Sequence, residues 1–222
     1  MTICCPKVTK AVRLRITAND ECGVPLTTPN SQLTASGFTR IEWTPEYEEG
    51  ESLIRKNGEG DICVQDDTCA QLTGMSGKVS FCSTSTVFDL LAGGAQPLLN
   101  ATGDTIGTWW EGLTQQCENF TFEFWGKNAV QACGTGGNLP YVHFVLPRVF
   151  DIRQSGAFAL TNQLSDAPEP MYEFKVRPNL NWVPPVPAEW AEVANMPTNL
   201  NNMFMSVCTD TIPDAQDCAY SV

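Results

Sequence analysis

The stretch GFTRIEWTPEYEEGESLIRKNGEGDICVQDD, Gly37 to Asp67, decides how the chain is read. It opens as a strand, because Ile41 and Trp43 alternate with Arg40 and Glu42, and Thr, Ile and Trp suit a half-buried sheet. The pattern breaks at Pro45 into an acidic run of Glu46, Glu48, Glu49 and Glu51. Around Asn57-Gly58 the chain doubles back, since this dipeptide readily supplies both φ > 0 residues of a tight hairpin turn. It leaves through an apolar strand, Asp61–Val64. Between Glu42 and Asp67, nine carboxylates (positions 42, 46, 48, 49, 51, 59, 61, 66 and 67) stand against Arg55 and Lys56, a net −7 out of the whole chain's −12. The segment is too polar for a core, and loops of this length inside a compact domain are usually functional or unstructured. The plain reading is a solvated surface hairpin. The sharper one is an extended acidic arm, 44–66, that meets a neighbouring subunit through Tyr47, Glu48, Glu49, Glu51, Leu53, Ile54, Arg55, Lys56 and Asn57.

Working outward, 222 residues suffice for one sizeable core, and Gly and Pro (17 and 15) with abundant Thr, Asn and Ser favour many strands joined by turns. The chain reads as a single all-β, mainly antiparallel domain over 1–222. Ala11–Thr17 alternates Val12, Leu14 and Ile16 with Arg13, Arg15 and Thr17, giving a first strand with a basic outer face. Asn19–Gly23 is a tight turn. Lys78–Cys82 is a strand, and Ser83–Gly94 carries one short helix, with hydroxyl residues offering an N-cap, Asp89 three past Thr86 in a weak capping pattern and Gly93 ending it. Glu118–Gly126 places Phe120, Phe122 and Phe124 on one core face. Tyr141–Asp151 is the central strand, with Pro147 marking a bulge, a bend or its end. Ala157–Thr161, Met171–Arg177 and Met203–Cys208 are the remaining strands. A proline-rich surface crossing spans 178–199, with a helical turn at Ala188–Ala194.

Several function classes drop out on chemistry. A pI near 4.4 argues against ordinary nucleic-acid binding, which needs cationic surface. The basic lead of Lys7, Lys10, Arg13 and Arg15 contrasts with the acidic arm, and the two could attract across a subunit boundary. No apolar run reaches membrane-span length, and the N-terminus lacks a secretory h-region, so synthesis in the cytosol and no membrane are expected. The ten cysteines contain no CxxC pair, and the single histidine cannot complete a Cys2His2 set, so no metal or cofactor is expected. Cys63/Cys69, Cys117/Cys133 and Cys208/Cys218 each bracket a short loop and are candidate disulfides, although spacing does not fix connectivity. His143 lies mid-strand with no nucleophile motif beside it, which leaves no catalytic residue and predicts a non-enzyme. The glycine-rich 131–137 lacks GK[ST] and reads as a turn. Trp109-Trp110 and Trp182/Trp190 suit sugar stacking or, more commonly, core and interface packing.

Taken in order, VRLRITANDECG (12–23), the 37–64 arm segment, VSFC with VFDLLAGG (79–94), FTFEFWGKNAVQACG (120–134) and YVHFVLPR (141–148) resemble the major tail proteins of long-tailed bacteriophages infecting actinobacteria. The resemblance covers most of 12–177. It implies a β-sandwich or barrel-like tail-tube fold with a flanking helix and a long polar arm. It also implies a virion protein, made in the host cytoplasm, that forms stacked, hexameric rings around a tape-measure protein, contacts other tail proteins and carries DNA as non-specific cargo. A capsid decoration protein, or a disulfide-stapled lectin-like module, is the alternative.

Overall fold

The computed structural model describes residues 8–28, 31–82, 86–92, 94–110, 118–129, 139–155, 169–190 and 203–214. Along the chain run β1 (Val8–Ala18), β2 (Gln32–Ala35), β3 (Phe38–Glu48), β4 (Ser52–Lys56), β5 (Ile62–Asp67), β6 (Gln71–Phe81), α1 (Thr86–Leu91), β7 (Ala95–Leu99), β8 (Thr105–Trp110), β9 (Phe120–Asn128), β10 (Tyr141–Ser155), β11 (Met171–Val176) and β12 (Met205–Thr209). One sheet takes the order β2-β1-β9-β10-β11-β6-β3, with β12 on the second edge of β10's first half. Two separate two-stranded ribbons, β4-β5 and β7-β8, complete the inventory. Every pairing is antiparallel. The mainly antiparallel all-β, sandwich-like fold expected from the sequence is what the chain adopts.

The sheet folds back on itself. Although β3 lies at the far end of the strand order, Trp43 packs on Phe124 of β9 at 4.9 Å and on Phe144 of β10 at 5.9 Å between ring centroids. Two layers thus face one another across Leu14, Ile16, Val79, Phe120, Phe122, Leu146 and Phe174, all buried. Aromatic and β-branched residues alternating at period two put one face of each strand inside, as Phe120, Phe122 and Phe124 illustrate. Gly77 is required where it stands: a Cβ there would lie 2.4 Å from the Phe174 ring.

Pro147 does mark a bulge, between Leu146 and Val149, and its carbonyl accepts from Thr121, Asn179 and Asn19. The Asn19–Gly23 turn is also as expected, closed by Gly23 N–H to Asp20 O at 2.9 Å with Gly23 at φ +88°.

Three readings need correction. Pro45 does not end its strand: β3 runs through it to Glu48, paired with Met75, because β3 is an edge strand and a missing N–H can face outward there. The outer face of β1 is not a solvated basic face, since Arg15 and Thr17 are buried beneath other chain segments. Asp89 is no helix cap. It is buried and accepts a hydrogen bond from the Tyr172 hydroxyl, while burial raises its pKa. The helical turn in the proline-rich crossing is a single 3-10 turn, Pro187–Trp190. The glycine-rich 131–137, the strand Ala157–Thr161 and the end of the crossing lie outside the described residues.

Candidate assembly surface

The 44–66 segment is built as β ribbon. β3 and β6 stay paired out to Glu48↔Gln71, the chain breaks at Gly50, and β4-β5 continues as a ribbon of its own. Every residue from Thr44 to Thr73 is exposed. Gly50 sits at a close approach: a Cβ there would fall 1.7 Å from the Thr68 carbonyl oxygen.

Of the residues expected to make contacts, Tyr47 and Glu48 end β3, Glu49 and Glu51 occupy the break, Leu53–Lys56 form β4, and Asn57 opens the turn. All nine are on the surface. Directly opposed residues share a face, so Leu53 and Val64 point one way while Ile54 and Ile62 point the other. Both faces therefore carry exposed apolar side chains, with Ile54 at 50% and Ile62 at 53% exposure. Asp67 accepts from the Ser52 hydroxyl and the Gln65 amide, which together lower its pKa.

The turn is not the two-residue form expected at Asn57-Gly58. The positive φ belongs to Gly60, at +93°, and Asn57 works through its side chain, whose Oδ1 accepts from Glu59 N–H at 3.0 Å and Asp61 N–H at 2.8 Å. Cys63 and Cys69 are free and exposed rather than bonded to each other. Six residues of largely extended chain separate their Cα atoms by roughly 20 Å, against the ~6 Å a disulfide needs. Cys208 is disulfide-bonded to a cysteine outside the described residues, where Cys117, Cys133 and Cys218 also lie.

The second ribbon, β7-β8, was not legible in the sequence beyond its tryptophans. It repeats the same turn: Asn100 Oδ1 accepts from Thr102 and Asp104 N–H, and Gly103 carries φ +89°. The shared pattern, Asn-x-x-Gly-Asp at 57–61 and 100–104, is the signal that could have found it. Leu98, Leu99, Ile106, Trp109 and Trp110 are exposed on this ribbon, whereas Trp182 and Trp190 are buried together.

Beneath the surface lies a buried ionic cluster. Arg15 donates through Nε to Glu123 at 2.7 Å and, with both terminal nitrogens, to Glu189 at 2.9 and 2.8 Å. His143 stacks on Trp125 at 4.0 Å, and its Nε2 lies 3.1 Å from Glu123 Oε1 but off the line of a hydrogen bond, so that contact is electrostatic. Burial alone would push the Glu123 pKa up; His143 and Arg15 outweigh it and hold the carboxyl below its ordinary value. Burial likewise opposes the Arg15 charge, and Glu123 and Glu189 more than offset it, so its pKa is raised. The cluster straps the 3-10 turn onto β1.

An open groove of about 540 Å³ crosses β3, β6, β11 and β10 over a cross-strand row of Glu42, Lys78, Glu173 and Arg153. Its charges alternate, and Lys78–Glu173 closes at 2.8 Å. Among the described residues no group of three or more His, Cys, Asp or Glu could hold a metal ion. No helix among them is long and apolar enough to cross a membrane.

No family model and no curated protein matches the chain. Among solved structures, it is similar to a chain of the cryo-EM structure of the anti-feeding prophage baseplate, six-fold symmetrised. The identity is 12% and the TM-score 0.32, over 79% of this chain and 93% of that one. At that score the likeness carries no argument, and the functional reading rests on the chain's own surfaces.

Proposed function

We propose that this chain is a virion structural protein, a tail-tube subunit that assembles with copies of itself into stacked rings, with DNA as passing cargo in the lumen and the tape-measure and other tail proteins as partners. The observation that carries the reading is the β4-β5 ribbon. An isolated two-stranded ribbon is marginal in water, and this one exposes apolar side chains on both faces and, among the described residues, has no strand on either outer edge. Such a surface is completed by contact with another molecule. The resemblance to major tail proteins in the 37–64 segment supplies the kind of partner, which is a second copy. The acidic surface suits a conduit, since it repels phosphate and lets DNA slide. In this reading the chain catalyses nothing.

The test is negative-stain electron microscopy of the purified protein, alongside its mass from light scattering. Rings, or hollow tubes with a regular axial repeat, are expected. Replacing Glu49–Ala70 by an Asn-Gly turn closes β3 on β6 at the Glu48↔Gln71 register and leaves a folded monomer that makes no tubes. Tubes from the armless protein would remove the arm from assembly. A wild-type chain that stays monomeric at every concentration would overturn the ring reading itself.

A further inference from the structure

β1 is only half covered at one edge. β2 pairs with Leu14–Thr17, so from Val8 to Arg13 the strand has β9 on one side and, among the described residues, no strand or backbone hydrogen bond on the other. On this stretch Lys10 stands directly opposite Lys127 of β9. Like charges directly opposed on a sheet are destabilising, and neither lysine has an ion-pair partner among the described residues. Arg15, two positions beyond Arg13, is consumed by Glu123 and Glu189, and Arg13 donates to the carbonyls of Pro213 and Val12. Among the described residues, Lys10, Arg13 and Lys127 are therefore the cations at this edge that face no carboxylate.

Lysine on an open edge blocks pairing with neutral or basic strands. An acidic strand escapes that block and gains a charge partner. β5 is such a strand. Among the described residues it pairs with β4 alone, which leaves its outer edge open, and Ile62–Asp67 carries Asp66 and Asp67 with no cation. The other ribbon strand, β4, ends in Arg55-Lys56 and would be repelled.

Resting on the self-assembly reading above, we infer that the Val8–Arg13 edge, marked by Lys10 and Lys127, is the docking site for β5 of a neighbouring copy's arm, which adds to it as an antiparallel or parallel strand. Backbone hydrogen bonds along the edge supply affinity, and the lysine–aspartate pairing selects β5 over β4. The like-charge cost within one chain is relieved only when the second copy arrives.

A charge swap read by light scattering and electron microscopy tests this. Lys10→Glu with Lys127→Glu is expected to leave a monomer with the wild-type circular dichroism spectrum and to lower the assembled fraction by about tenfold or more. Adding Asp66→Lys and Asp67→Lys to that variant is expected to restore assembly. Adding Glu118→Lys and Asp210→Lys instead, which gives the same net charge at exposed positions elsewhere, is expected not to. Assembly of the Lys10/Lys127 variant at the wild-type level, or rescue by both pairs alike, overturns the docking site and leaves the ring reading standing. A monomeric wild type under the same conditions overturns both.

Discussion

Carboxylates in this protein live in two opposite settings. Glu123 is fully buried, held by Arg15 and His143, whereas the arm's acids from Glu46 to Asp67 all stand in water. A buried charge is tolerable only if its partners are in place, so Glu123 makes the fold depend on a distant arginine and on the correct seating of the 3-10 turn. The arm acids impose no such condition. They contribute little to monomer stability, which leaves them free to be selected for what they meet outside. Position in the layers, rather than residue type, separates the charges that specify the fold from those left free on the surface.

Breaking the buried side should cost most. Arg15→Met leaves Glu123 buried without its guanidinium and is expected to destabilise the monomer by about 3–5 kcal/mol in urea unfolding. Glu189→Gln keeps the Glu123 contact and weakens only the strap, and should cost about 1–2 kcal/mol. pH sharpens the same contrast. Because the folded Glu123 pKa lies below its unfolded value, its stabilisation is present above the ordinary glutamate range and is lost as pH falls through the folded value. The wild type should therefore lose stability below about pH 4 more steeply than Glu123→Gln does, and parallel slopes would remove Glu123 from the acid limb. Asn57→Ala and Asn100→Ala should each cost a ribbon about 1 kcal/mol. Amide hydrogen exchange should rise in the ribbon that was altered and not in the other. Smallest of all, Glu48, Glu49 and Glu51 changed together to glutamine should leave the monomer's unfolding midpoint where it was, while ring formation changes.

The parts of this fold legible in the sequence are those governed by local periodicity. Phe120, Phe122 and Phe124 announce a core strand because alternation is a property of neighbours, and the acidic run with its turn announces the arm for the same reason. The Arg15 cluster was hidden because its members lie 108 and 174 positions apart and meet only after the sheet has closed. The basic alternation of β1 was misread as solvent-facing because nothing local shows that a proline-rich segment will cover it. At Asn57-Gly58 the dipeptide rule gave way to side-chain chemistry, since an asparagine carbonyl that captures two amides favours a longer loop with the glycine later. The β7-β8 ribbon escaped notice because its strands carry Pro97 and Gly107, which blur a period of two.

The break at Gly50 also makes the arm a lever. From Glu49 to the tip at Asn57 the ribbon extends roughly 30 Å at the usual rise per strand residue, longer than the ~17 Å radius of gyration expected of a chain this size. A tilt of about 10° at the break would sweep the tip through about 5 Å, close to the spacing of adjacent strands. If copies stack as rings, as proposed, this gearing would turn a slight rotation between layers into a full strand's travel at the contact.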